Sequence, residues 1–189
     1  MRTVIRPTGM KSLPITLITV LLGCSTLLPA RASAEDRSGN AHLARQVRHE
    51  LVTLPYYSVF DNLAFRIDGT SVTLLGQVTQ PTLKSSAENV VKDIEGVTHV
   101  NNEIQVLPLS PNDDQIRRAE YRAIYSQPTL NQYALRAVPP IHIIVENGHV
   151  TLDGVVANEA DKNVAGVQAN SVPGVFSVKN NLRTDQSGS

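Results

Sequence analysis

Val72-Thr73-Leu74-Leu75-Gly76-Gln77-Val78 and Val150-Thr151-Leu152-Asp153-Gly154-Val155-Val156 are one stretch written twice, 78 residues apart. The same offset pairs Lys84 with Lys162, Ala87 with Ala165 and Gly96 with Gly174. It continues through Val97 with Val175, Val100 with Val178 and Asn102 with Asn180, without a gap. Upstream the offset falls to 73, pairing Leu51 with Ile124 and Pro55 with Pro128. The second copy therefore holds about five extra residues, expected near Ala137-Val138-Pro139-Pro140. Two copies of about 70 residues make a duplication, too few for a solenoid.

Each copy reads as helix, strand, strand, helix, strand. Leu43, Val47, Leu51 and Leu54 recur at helical spacing and stop at Pro55, where a helix cannot continue. Leu63, Phe65 and Ile67 alternate, as do Val72, Leu74 and Val78, which gives two strands with one apolar face each. Gly69-Thr70 separates them and Asn147-Gly148 stands in register. Both supply the positive φ of a two-residue hairpin, the first as a II′ turn and the second as I′. A second helix begins near Pro81 and carries Leu83, Ala87, Val90, Val91 and Ile94, with Gly96 at its end. In the other copy Asn158 caps the start, Val164, Val167 and Val172 supply the face, and Gly174 closes it. The last strand alternates through Val100, Ile104 and Val106, matched by Phe176, Val178 and Leu182.

The expectation is an α+β chain of two tandem αββαβ modules, each a three-stranded mixed sheet with two helices on one face. Residues 41–108 form the first module, 109–112 a linker, 113–184 the second module and 185–189 a short polar tail. Each module is small enough that the pair is expected to pack together.

Gly69-Thr70-Ser71-Val72-Thr73-Leu74-Leu75-Gly76 and Asn147-Gly148-His149-Val150-Thr151-Leu152-Asp153-Gly154 resemble the central hairpin of the BON domain. Gly96-Val97-Thr98-His99-Val100-Asn101-Asn102 and Gly174-Val175-Phe176-Ser177-Val178-Lys179-Asn180 resemble its closing G-V-x-x-V-x-N signature. The motif positions are thus Gly76, Gly96, Val97 and Asn102, with Gly154, Gly174, Val175 and Asn180 in the repeat. The resemblance implies an envelope protein that acts under osmotic or other stress and binds phospholipid. It further implies that the first helix of the second module carries the lipid contact.

The N-terminus reads as an export signal. Arg2, Arg6 and Lys11 precede the nearly uncharged stretch Leu13–Leu28, and Ala32-Ser33-Ala34 supplies the small residues of a cleavage site. Pro14, Gly23 and Pro29 interrupt the apolar stretch, which at 16 residues is short of the ~20 that span a bilayer. Leu21-Leu22-Gly23-Cys24 competes as a lipidation site, which would make the protein an outer-membrane lipoprotein attached through Cys24. The site after Ala34 has the cleaner pattern, so residues 1–34 are expected to be a signal peptide and the product periplasmic. Cys24 is the sole cysteine, so no intramolecular disulfide or cysteine-based metal site forms.

The whole chain carries 17 basic and 17 acidic residues, but none of the acidic ones precedes Glu35. Residues 35–189 therefore hold 13 basic against 17 acidic groups, net −4. A mildly acidic product is a poor binder of nucleic acid, which demands a basic footprint.

Chemistry is sparse. His42 and His49 lie two turns apart on one helix; His142 and His149 flank a hairpin where they could face each other, with no third ligand. Asp113, Asp114, Glu159 and Asp161 stand at helix starts, where capping accounts for them. With no G-x-S-x-G stretch and no phosphate loop, the expectation is a protein that is not an enzyme and needs no metal or cofactor. A binding surface is more legible. Arg117, Arg118, Tyr121, Arg122 and Tyr125 decorate the first helix of the second module, the pairing of guanidinium and phenol that suits a lipid headgroup layer. Pro55-Tyr56-Tyr57 and Phe60 form a second aromatic patch, read as the lid of a core. The expected partner is a phospholipid surface, with an envelope protein as the alternative.

Overall fold

Two tight turns set the architecture. Gly69 has φ +59 while Thr70 keeps a negative φ, and Asn147 and Gly148 have φ +51 and +76, the II′ and I′ geometries that follow the twist of the strands they join. The computed structural model describes residues 32–185 except Ala137. Cys24 and most of the expected leader lie outside the described residues, as do residues 186–189 of the expected tail.

The first repeat runs α1 (Ala32–Val52), β1 (Asn62–Asp68), β2 (Ser71–Val78), α2 (Pro81–Lys92), β3 (His99–Asn102) and β4 (Gln105–Val106). The second runs α3 (Pro111–Tyr125), α4 (Asn131–Ala134), β5 (Ile141–Glu146), β6 (His149–Val156), α5 (Glu159–Asn170), β7 (Ser177–Asn180) and β8 (Arg183–Thr184). In each repeat the second strand is central. It pairs antiparallel with the first and parallel with both pieces of a broken third strand. The αββαβ order holds, and the break raises each sheet to four strand segments.

The break explains the closing asparagine of the motif. Asn102 Oδ1 accepts from Ile104 N at 3.2 Å while its Nδ2 donates to Lys84 O at 3.0 Å, tying the interrupted strand to α2. Asn180 does the same with Leu182 N at 3.2 Å and Lys162 O at 2.8 Å. Because the break resets the alternation, Leu107 is buried where regular spacing would bury Val106, which is 38% exposed.

Each repeat has its own core. Leu43, Val47, Leu51 and Leu54 pack with Val72, Leu74, Val78, Leu83, Ala87 and Val91 in the first. Ile116 and Ile124 pack with β5, β6 and Ala165 and Ala169 of α5 in the second. Several expected positions differ. Val167 is 66% exposed, because Ala165, Gly166 and Ala169 form the inward face of α5. Phe176 is 76% exposed; its amide donates to Gly148 O at 2.9 Å and its ring turns outward beside His149. Gly96 and Gly174 do not close their helices, which end at Lys92 and Asn170. They take φ +93 and +88 in the turns that lead on to β3 and β7. The segment expected as linker is already helical at Pro111, with Ser110 Oγ accepting from Asp113 N at 3.2 Å.

The five-residue insertion builds α4. Its Tyr133 donates its hydroxyl to Asp161 Oδ2 at 2.6 Å and accepts from Ala157 N at 2.9 Å. Asp161 occupies the register position of Leu83, so an apolar contact of the first repeat has become a buried hydrogen bond in the second.

The repeats are joined through the loop after α1. Val59 is buried in the core of the second repeat, and its carbonyl accepts from Ile143 N at 2.8 Å on the outer edge of β5. Tyr57 lies 5.6 Å from the His142 ring, and Phe60 meets Tyr121 edge-on at 6.3 Å. The aromatic patch expected to cover a core does so across the repeat boundary, except Tyr56, which is exposed with φ +69.

Candidate functional site

α3 begins at a firm anchor. Beyond the Ser110 cap, the Asp113 carboxylate accepts from Asn147 N and Gly148 N, both at 2.9 Å, so the first turn of the helix holds the β5–β6 turn. This bond fixes the helix's rotation, and rotation decides which of its arginines reach solvent.

The five expected contact residues divide into two sets. Arg117 and Tyr125 face inward. Arg117 is 5% exposed, and its Nη2 donates to Val145 O at 2.6 Å while Nη1 pairs with Asp114. Tyr125 is buried and donates to Ile141 O at 2.7 Å; burial pushes its phenol pKa well above the ordinary value. Both therefore pin α3 to β5 and leave the surface set. The outward set is Arg118 and Arg122, one turn apart and exposed, with Tyr121 at 36% exposure on the flank. The Tyr121 ring is held between Tyr125 at 4.8 Å and Phe60 at 6.3 Å, which limits its freedom.

Among the described residues no ion pair includes Arg118 or Arg122. Together with Asn112, Gln115 and Pro173 they line a shallow groove of about 440 Å³ between α3 and the turn that follows α5. Asp114 is engaged by Arg117, so the outward face carries two uncompensated positive charges within a chain whose expected product is net acidic. Local attraction to an anion is strong there and fades beyond a Debye length of about 8 Å.

The histidines do not assemble. The register pairs His142 with Asp153 and His149 with Glu146, so the two stand at opposite ends of the hairpin rather than facing each other. Burial lowers the His142 pKa, and its Nδ1 is buried without a partner. Among the described residues no three His, Cys, Asp or Glu side chains come together as a metal site. No described helix is long and apolar enough to cross a membrane.

Sequence reasoning missed two buried carboxyls, Asp61 and Glu120, and Asp161, expected only as a cap at the helix start, is buried as well. Asp61 accepts from the amides and hydroxyls of Ser58 and Thr79 at 2.6–3.0 Å. Asp161 holds Tyr133, as described. Glu120 is fully buried on the inward face of α3, neither oxygen has a partner among the described residues, and burial pushes its pKa up to about 8. The signal was available for Glu120: the offset of 73 places it on Val47, a core residue of the first repeat.

The motif glycines Gly76 and Gly154 belong to the hairpin scaffold of each repeat. A Cβ on Gly76 would lie 2.0 Å from Asn62 O, and one on Gly154 1.8 Å from Pro140 O. With φ +115 and +131 as well, they let the start of the hairpin's first strand press against the second.

Comparison with known proteins matches the BON domain family twice, over residues 39–108 and 112–186. A curated relative is Osmotically-inducible protein Y of Escherichia coli (strain K12), 32% identical over 125 residues. That match covers 65% of this chain and 62% of the relative, so less than two thirds of the relative's length is spanned. Two solved structures also align, both of CdsD, a structural protein of the type III secretion system of Chlamydia trachomatis. The first is 15% identical over 78% of this chain and 95% of the other, with TM-score 0.30. The second, of the C-terminal domain, is 16% identical over 74% and 96%, with TM-score 0.27.

Proposed function

As the chain belongs to the BON-domain family, with two domains in tandem, we propose that it is a non-catalytic periplasmic protein that binds phospholipid surfaces and supports the envelope under osmotic stress. The observation that carries the reading is the outward face of α3. Arg118 and Arg122 stand one turn apart without acidic partners among the described residues, and Tyr121 offers a partly exposed amphipathic ring beside them. Guanidinium groups pair with phosphate through two donors at once, and tyrosine rings settle at headgroup depth. The osmotic induction named for the curated relative supports the stress role. A product of net charge −4 gains little from long-range attraction, so binding rests on this local pair.

The test is charge reversal. Arg118→Glu with Arg122→Glu, in the protein purified as the cell exports and processes it, is expected to lose sedimentation with anionic vesicles while its thermal unfolding stays unchanged. Sedimentation equal to wild type removes α3 as the contact. Suppression of client aggregation without any vesicle binding would move the function to a protein partner.

A further inference from the structure

Residues of both repeats line an open groove of about 580 Å³ on the side of β1, and none of its lining residues belongs to α3. The volume falls within the ~300–1,000 Å³ of small-molecule clefts. One wall comes from the first repeat and is apolar: Val52 of α1 is 41% exposed there, and Leu63 and Phe65 of β1 continue it. The other wall comes from the second repeat, with Asp153 of β6 and Arg183 of β8. Arg48 of α1 joins the two kinds of surface, its guanidinium 5.9 Å from the centroid of the Phe65 ring.

The charges decide what the groove suits. Among the described residues no ion pair includes Arg48, Asp153 or Arg183. His142 also lines the groove, and its burial favours the neutral ring. Among the lining side chains two cations stand against one carboxylate, a single net positive charge beside an apolar wall, and the Asp61 carboxylate near Tyr57 and His142 is already held by four hydrogen bonds. A dianionic head would be undercompensated, a cationic one repelled, and a purely apolar ligand would leave the arginines without partners.

We propose that this groove binds a single-chain amphiphile with a monoanionic head, of the fatty-carboxylate class. The chain lies along Val52, Leu63 and Phe65, and the head between Arg48 and Arg183. Because one wall comes from each repeat, such a ligand also bridges them. The site is independent of the membrane-binding face on α3, so either can fail without the other.

The experiment is calorimetric titration of the exported protein with dodecanoate below its micellar concentration, with dodecyltrimethylammonium and dodecyl maltoside as head-group controls. One saturable dodecanoate site is expected, with the neutral and cationic heads at least tenfold weaker. Arg48→Gln with Arg183→Gln is expected to weaken dodecanoate at least tenfold, Asp153→Asn to tighten it, and Arg118→Gln with Arg122→Gln to leave it unchanged. Should the first double variant fail to fold, Ala64→Trp, which fills the groove from an exposed position without altering charge, is expected to abolish the site. No saturable binding, equal binding of the cationic amphiphile, or dodecanoate binding indifferent to both the arginine and the tryptophan variants would overturn the proposal.

Discussion

Glu120 stands in the second repeat where Val47 stands in the first, and both side chains have no solvent exposure. Val47 belongs to the first core among leucines, whereas Glu120 brings two unpartnered oxygens to the equivalent place. Its pKa is raised from the ordinary 4.5 to about 8 because burial penalises the carboxylate. The folded state therefore holds this proton more tightly than the unfolded state does. Stability from this group is fully present below about pH 4.5 and is lost as pH rises through about 8. The slope over that window approaches about 1.4 kcal/mol per pH unit. Urea unfolding at pH 5, 7 and 9 should show the decline, and Glu120→Gln should flatten it. Glu120→Val, which restores the residue of the first repeat, should stabilise by about 2–5 kcal/mol at neutral pH. A wild-type midpoint independent of pH would contradict the burial of this group.

Arg117 and Arg118 are neighbours in sequence with opposite roles. Arg117→Gln removes a buried guanidinium from Val145 O and should cost about 1–3 kcal/mol, read as a lower unfolding midpoint, while vesicle binding of the folded fraction stays at the wild-type level. Arg118→Gln should do the reverse, leaving the midpoint within about 0.5 kcal/mol and weakening binding.

Gly154→Ala and Gly76→Ala each drive a methyl group into a carbonyl oxygen across the hairpin. Each should cost roughly 3 kcal/mol or more, since the backbone of β5 or β1 must move. Gly69→Ala meets open space and carries only the φ penalty, so its cost should be about 1 kcal/mol. Chemical denaturation of the three variants separates crowding from conformational strain.

The Ile143 amide reports the junction of the repeats, because its acceptor is Val59 O. Asp61 holds the loop that delivers Val59 through four hydrogen bonds. Val59→Asp should accelerate hydrogen exchange at Ile143 by at least tenfold and leave Val72, in the core of the first repeat, unaffected. Asp61→Asn should produce the same pattern more weakly. Equal acceleration at both amides would mean that the loop stabilises the first repeat instead of joining the two.

The repeat was legible because its signals are local. Gly69-Thr70 and Asn147-Gly148 satisfy a backbone demand that few residues meet, and the alternation through Val72, Leu74 and Val78 states which face is buried. Helical phase was less legible. Arg117, Arg118, Tyr121, Arg122 and Tyr125 form one polar-aromatic run in sequence, but successive residues point about 100° apart. The bond from Asp113 to the distant β5–β6 turn then chooses which of them face inward. Val106 departs from the alternation because Asn102 interrupts its strand, and Phe176 because it follows a turn rather than continuing a pleat. The groove between the repeats could not be read at all, since Arg48 and Arg183 are 135 positions apart and come to line one groove only in the folded chain.

Flotation of the protein with vesicles of anionic or neutral phospholipid, at low and high salt, tests the membrane reading most directly. Co-flotation with anionic vesicles at low salt, weakening as salt screens Arg118 and Arg122 and absent with neutral lipid, is the predicted result. Failure to float under any of the four conditions would contradict it and place the function of the folded repeats with a protein partner.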